Sequence, residues 1–112
     1  MMSIHIADER SGEISILAVS GRLDGATAGV LDEQLNEKVA SSAVTVIDMG
    51  SLSYVSSAGL RILLKAAKQA RARSAKLLLC GLHANVQEVF DISGFTTIFA
   101  IYPDRPTAIA AV

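Results

Sequence analysis

The 112-residue sequence has no tryptophan, few aromatic residues and a single cysteine. Because Cys80 has no second cysteine to pair with, no disulfide can form within the chain, which suits a reducing compartment. The scarcity of aromatic side chains argues against a surface that stacks nucleic-acid bases. A formal net charge of −1 gives no overall attraction to nucleic acid or to an anionic membrane. No apolar run reaches the roughly 18–20 residues that a membrane-spanning helix requires.

What is present is apolar: hydrophobic residues make up 51% of the chain and charged residues 19%, a composition typical of a compact globular protein. A chain of this length forms one domain, which we place at residues 1–112. The N-terminal sequence lacks the basic start and long apolar stretch of a signal peptide. We therefore expect a cytoplasmic protein without membrane insertion.

Hydrophobic periodicity predicts the order of the secondary-structure elements. Apolar and polar residues alternate over 3–7 and 13–19, and the turn signal around Gly12 between them predicts a β-hairpin. Predicted helices cover 26–39, 58–73, 85–93 and 107–112, and the later strands cover 44–47, 76–80 and 97–101. The buried side of the first helix is predicted to consist of Ala28, Leu31, Leu35 and Val39. The order β-β-α-β-α-β-α-β-α predicts an α/β fold, a mixed and mostly parallel sheet of four to five strands covered by about four helices.

Two adjacent hydroxyl side chains, Ser56 and Ser57, lie where the central strand and its loop lead into the helix 58–73. A helix begins with backbone N–H groups that lack partners and with the positive end of its dipole. A serine at this place can cap the helix, or it can carry a phosphate that these N–H groups would hold. The loops 20–24 and 53–57 follow strands that point the same way if they are parallel. We therefore expect Asp24 and Ser57 to share one rim of the sheet.

Patterns typical of catalysis or cofactor binding are not found in the sequence. It contains no glycine-rich phosphate-binding motif, and the two serines lack the context of a nucleophile elbow. His5 and His83 are isolated from each other and have no metal-ligand spacing. We therefore predict no enzyme activity, no cofactor and no metal site. The cations of the helix 58–73, beginning at Arg61, are interpreted either as a solvated face or as a site for an anion or a partner.

Several segments together resemble the STAS domain family, and within it the bacterial anti-sigma factor antagonists. They are GRLDGATA at 21–28, VIDM at 46–49, YVSSAGL at 54–60, and FDISGF at 90–95 followed by IF at 98–99. These segments span nearly the whole chain in the order that the family shows. The most specific of them is the serine pair with its following Ala-Gly-Leu, taken together with the upstream Asp24.

The resemblance implies a protein-binding module that phosphorylation controls. Its partner would be an anti-sigma factor that is also a serine kinase, bound by the unphosphorylated form and released by the phosphorylated one. A PP2C-type phosphatase would restore the unphosphorylated form. The phospho-acceptor position of the family falls on Ser57, with Ser56 as the alternative. The partner-binding residues implied are Asp24, Ser56, Ser57, Ala58, Gly59 and Arg61.

The sequence departs from the common family pattern at Ser56, where an aspartate often precedes the acceptor. The departure removes a fixed negative charge and adds a second candidate acceptor. STAS-like domains also serve as accessory subunits of membrane transport systems and as scaffolds in stress-signalling assemblies, and these roles are the alternatives. The sequence predicts no direct contact with nucleic acid and leaves the oligomeric state open.

Overall fold

The computed structural model describes residues 3–112, and its elements follow the predicted order with one additional 3₁₀ turn. The strands are β1 (Ile4–Ser11), β2 (Ile14–Leu23), β3 (Val44–Val55), β4 (Lys76–Cys80) and β5 (Ala100–Tyr102). The helices are α1 (Ala28–Ser41), α2 (Ser57–Ala72), α3 (Ala84–Ile92) and α4 (Arg105–Ala110), and the 3₁₀ turn is Phe95–Thr97.

The strands form a single sheet in the order β1-β2-β3-β4-β5. Strands β1 and β2 pair as the predicted antiparallel hairpin, and every other neighbouring pair is parallel. Parallel neighbours require a crossover connection, which α1, α2 and α3 supply. The predicted mixed, mostly parallel sheet is confirmed.

Helices cover both faces of the sheet, which explains why the central strands are apolar on both sides. Helices α1, α2 and α3 pack on one face, and α1 buries the predicted residues Ala28, Leu31, Leu35 and Val39. On the other face, α4 completes a smaller core of Ile16, Val46, Leu78, Cys80 and Ala108. Cys80 is buried there, and burial is the main reason that the pKa of its thiol is raised to about 11.

The two central strands extend further than the sequence predicted. Strand β2 continues to Leu23 and β3 to Val55, so the predicted loops at 20–24 and 53–57 are mostly strand. The two strands stay paired up to Leu23↔Val55, but the pairing shifts register twice along the way. Register shifts break the apolar–polar alternation. For that reason the sequence predicted loops rather than strands in these serine- and glycine-rich segments.

The chain after α3 departs from the predicted strand at 97–101. Residues Phe95–Thr97 instead form the 3₁₀ turn, and only Ala100–Tyr102 joins the sheet. The turn brings Phe95 and Phe99 against Phe90, with ring centroids 6.3 and 5.7 Å from that of Phe90 and edge-to-face orientations. Aromatic packing of this kind favours the turn over a longer edge strand.

The terminal helix α4 begins at Arg105, two residues before the predicted start. Pro106 lies within its first turn, where a proline is tolerated because the missing N–H would have no intrahelical partner. Asp104 caps the helix by accepting the N–H of Thr107 at 2.9 Å. Pro106 therefore lies inside the helix rather than ahead of it.

Candidate functional site

The ends of β2 and β3 bring Asp24 and the serine pair together. Leu23 and Val55 are the last paired residues of the two strands, and the N–H of Ser56 donates to the Leu23 carbonyl at 2.9 Å. Asp24 and Ser56 thus leave the sheet side by side. The structure places Asp24, Ser56 and Ser57 at one rim of the sheet, next to the start of α2.

Ser56 and Ser57 differ in what their side chains do. Ser56 is the N-cap residue of α2, has an extended backbone and accepts the N–H of Gly59 on its hydroxyl at 3.4 Å. Ser57 is the first helical residue, and it is exposed. Helix capping accounts for Ser56, whereas nothing in α2 requires a hydroxyl at Ser57. Of the two, Ser57 is the more exposed.

Gly59 and Ala58 follow the serines, and they differ in exposure. Gly59 is buried, and a Cβ on it would lie 2.6 Å from Leu23 Cγ and 3.1 Å from Val55 Cγ2. The glycine therefore allows α2 to approach the β2–β3 pair closely, and its burial argues against the partner contact that the resemblance implied for it. Ala58 is half-buried and leaves the backbone beside Ser57 accessible.

Asp24 has a structural role in addition to its place on the rim. Its Oδ1 accepts the N–H groups of Ala26 and Thr27 at 3.0 and 3.2 Å, which fixes the turn into α1. The buried Thr27 hydroxyl donates to the Arg22 carbonyl at 2.8 Å and ties the same turn to β2. The second carboxylate oxygen, Oδ2, lies 3.8 Å from Arg22 Nε. A partner that contacts Asp24 would meet a side chain already held in one orientation.

Arg22 and Tyr54, two neighbours of Asp24, were not among the residues predicted to bind a partner. They are paired across β2 and β3, and the Arg22 guanidinium carbon lies 4.1 Å from the centre of the Tyr54 ring. Tyr54 is 38% exposed. Arginine and tyrosine are enriched among residues that dominate binding energy in interfaces. The sequence did offer one indication of this contact surface, because Tyr54 is a large aromatic residue just before the serine pair in a chain with only two tyrosines.

His83, an isolated residue in the sequence, has a structural contact. Its Nε2 donates to the Gly50 carbonyl at 2.6 Å, and Asn85 Nδ2 donates to the Ser53 carbonyl at 2.8 Å. Both side chains lie at the start of α3, and their hydrogen bonds attach the C-terminal half of β3 to it. His5 is exposed on β1.

Arg61 lies one helical turn beyond Ser57 and is exposed. The next cation along the same face, Lys65, pairs with Asp32 of α1 at 3.1 Å. Within residues 3–112, by contrast, Arg61 takes part in no ion pair. Its positive charge is therefore available next to the rim.

The fold is that of a small α/β domain with an exposed hydroxyl where strand β3 leads into α2. A sequence model of the STAS domain matches residues 5–108, and the chain belongs to the STAS domain family. The resemblance seen in the sequence is thereby confirmed. None of the helices described in residues 3–112 has the length and apolar character needed to cross a membrane.

The chain is similar to proteins assigned as anti-sigma factor antagonists. It is 42% identical over 97 residues to BtrV of Bordetella bronchiseptica, which bears that assignment, across 86% of this chain and 84% of BtrV. The crystal structure of an anti-sigma factor antagonist from Mycobacterium paratuberculosis matches with a TM-score of 0.92 and 26% identity, covering 98% of this chain and 94% of the other. Bacillus SpoIIAA in its phosphorylated form matches with a TM-score of 0.75 over 96% and 98% of the chains, and its 16% identity shows the fold alone.

Proposed function

We propose that this protein is an anti-sigma factor antagonist, a binding protein rather than an enzyme. In this proposal its unphosphorylated form binds an anti-sigma factor that is also a serine kinase, and phosphorylation of Ser57 releases that partner. The observation that carries the proposal is the exposed Ser57 at the start of α2, on the rim that holds Asp24. The assignments of the two similar proteins supply the partner class.

The physical basis is a change of charge on a preformed surface. Phosphorylation adds about −1.5 to −2 charges and three acceptor oxygens. The start of a helix tolerates such a group, so the fold need not change. Within a protein interface, the same group must lose its water or face the charges of the partner. Asp24 on the same rim adds a second negative charge, so docking becomes unfavourable while the domain stays folded.

The roles of the two serines support Ser57 as the acceptor. A phosphate on Ser56 would turn the hydroxyl oxygen that accepts from Gly59 into an ester oxygen and place a bulky dianion at a half-buried position. A phosphate on Ser57 leaves that cap in place. A PP2C-type phosphatase would reverse the modification, and it could reach the same exposed side chain.

The proposal is tested by incubating the full chain with ATP and an anti-sigma factor kinase from the source organism, then mapping phosphate by mass spectrometry. We expect modification of Ser57 in the wild type and in Ser56→Ala, and none in Ser57→Ala. Binding of the unmodified chain to the same kinase is measured in parallel. If the chain neither binds any such kinase nor receives phosphate from it, the proposal is overturned. Phosphate on Ser56 alone would overturn only the choice of acceptor.

The second candidate is a STAS accessory subunit of a membrane transport system or a scaffold in a stress-signalling assembly. Its expected signature is stable co-purification with a membrane transporter or a large assembly without phosphate on Ser57. The 42% identity to BtrV favours the antagonist role.

A further inference from the structure

Helix α2 has an uneven distribution of charge. Over Ser57–Ala72 it carries the cations Arg61, Lys65, Lys68 and Arg71, and it has no carboxylate. A negative group introduced on α2 therefore meets no like charge from its own helix. The side chains that it can reach on this helix are those three and four residues away.

Only one of these cations is within reach of Ser57. Residues four apart on a helix have Cβ atoms about 5–6 Å from each other, and Arg61 is four residues after Ser57. Lys65 lies a further turn away and is engaged by Asp32 at 3.1 Å. Arg61 is exposed, and among residues 3–112 it has no ion-pair partner. Its guanidinium can move to Ser57 without breaking an existing ion pair.

The remaining charges at the rim do not compete for Arg61. Asp24 faces Arg22, with its Oδ2 3.8 Å from Arg22 Nε, and its Oδ1 accepts from the turn into α1. The guanidinium of Arg22 is stacked on Tyr54. Arg22 thus faces Asp24 and Tyr54, whereas Arg61 has no ion-pair partner among residues 3–112 and lies one turn from Ser57 on the same helix.

We propose that Arg61 is the intramolecular counter-ion of a phosphate on Ser57. The inference rests on the proposed function, which places the phosphate there. A guanidinium matches phosphate oxygens with paired N–H donors, and an anion placed four residues before a cation is the favourable order on a helix. Phosphorylation then changes the rim twice, because it adds negative charge and also withdraws Arg61 from any partner that used it.

The pair is measured by a double-mutant cycle on the full chain with phosphoserine incorporated at position 57 during translation. The cycle compares the unfolding equilibrium constants of the phosphorylated and unphosphorylated proteins, with Arg61 and with Arg61→Gln. We expect the substitution to raise the unfolding constant roughly threefold more in the phosphorylated protein. In Arg61→Lys, part of this coupling should remain, and at about 1 M salt it should fall because charges are screened within about 3 Å.

Lys68→Gln is the matched control, since Lys68 is an exposed cation of the same helix that lies roughly 16 Å along the axis from Ser57. It should lower stability equally with and without phosphate. Equal effects of Arg61→Gln on the two forms would overturn the proposal, as would coupling in Lys68→Gln of the same size. Because the phosphate is installed without a kinase, the cycle gives its answer even if no kinase modifies Ser57 and the proposed function fails.

Discussion

Replacing Gly59 by alanine tests how α2 is held against the sheet. The added Cβ would lie 2.6 Å from Leu23 Cγ and 3.1 Å from Val55 Cγ2. Leu23 is 0% exposed and Val55 is 3% exposed, so neither can move without displacing its own neighbours. The methyl group must therefore push the first turn of α2 away from the β2–β3 pair.

Two opposing terms set the size of the effect. Inserting a methyl group into a closely packed site costs about 1–3 kcal/mol. Alanine in place of glycine within a helix contributes about 1 kcal/mol in the stabilising direction. The steric term is the larger because the shortest distance is far below normal van der Waals contact. We therefore expect Gly59→Ala to lower the free energy of unfolding by about 1–2 kcal/mol.

Gly29→Ala is the matched control for Gly59→Ala. Gly29 is exposed in the first turn of α1, and no heavy atom lies within 4 Å of a Cβ built there. Only the helical term applies, so this variant should be as stable as the wild type or more stable by up to about 1 kcal/mol.

Urea denaturation followed by circular dichroism measures both glycine variants under the same conditions. A Gly59→Ala protein as stable as Gly29→Ala would refute the close approach of α2 to the β2–β3 pair. If the approach is real, Gly59→Ala also displaces Ser57. Its affinity for the anti-sigma factor should then fall while that of Gly29→Ala is unchanged.

Three further predictions concern the acceptor, the terminal helix and the buried thiol. Ser57→Asp should weaken binding to the anti-sigma factor at least roughly tenfold, with an unfolding midpoint at least as high as that of Ser57→Ala, since a carboxylate is favourable at the start of a helix. An equal loss of binding and stability would instead make Ser57 structural. Arg105 donates to Asp48 and Glu9 at 3.0 and 2.9 Å, and Arg105→Gln should loosen α4 at a cost of about 1 kcal/mol. Faster reaction of Cys80 with a thiol reagent in native buffer would show that loosening, and an unchanged rate would contradict it. Because the pKa of Cys80 is raised from 9.0 to about 11, the unfolded chain loses this proton at lower pH than the folded one. This thiol should therefore make stability fall as pH rises from about 9 to 11, and Cys80→Ala should show a shallower fall; parallel stability curves for the two proteins would contradict this.

The elements with strong periodicity were predictable from the sequence. The buried stripe of α1 and the strand Lys76–Cys80 agree with the structure residue by residue, because their apolar spacing is regular. The extent of β2 and β3 was not predictable, since their register shifts remove the alternation on which the prediction depended. The 3₁₀ turn was missed for a different reason. Its residues have strand propensity, but packing of Phe95 and Phe99 on Phe90 decides their conformation.

Part of the candidate site could be predicted from the sequence. The serine pair, Asp24 and Arg61 could be named from the sequence, but the stacking of Arg22 on Tyr54 depends on pairing between β2 and β3. The Asp24 carboxylate also has contacts with the turn into α1 that no sequence pattern specified.

By itself, the order of residues determined the sequence of strands and helices, the α/β class and the short set of candidate acceptors. These features depend on local periodicity and on the chemistry of neighbouring residues. Only the tertiary structure decided that Ser56 caps α2 while Ser57 faces outward. It also decided that Gly59 packs against the sheet instead of lying on the surface. The reason is that α2 packs closely at Gly59 against Leu23, a residue far from it along the chain.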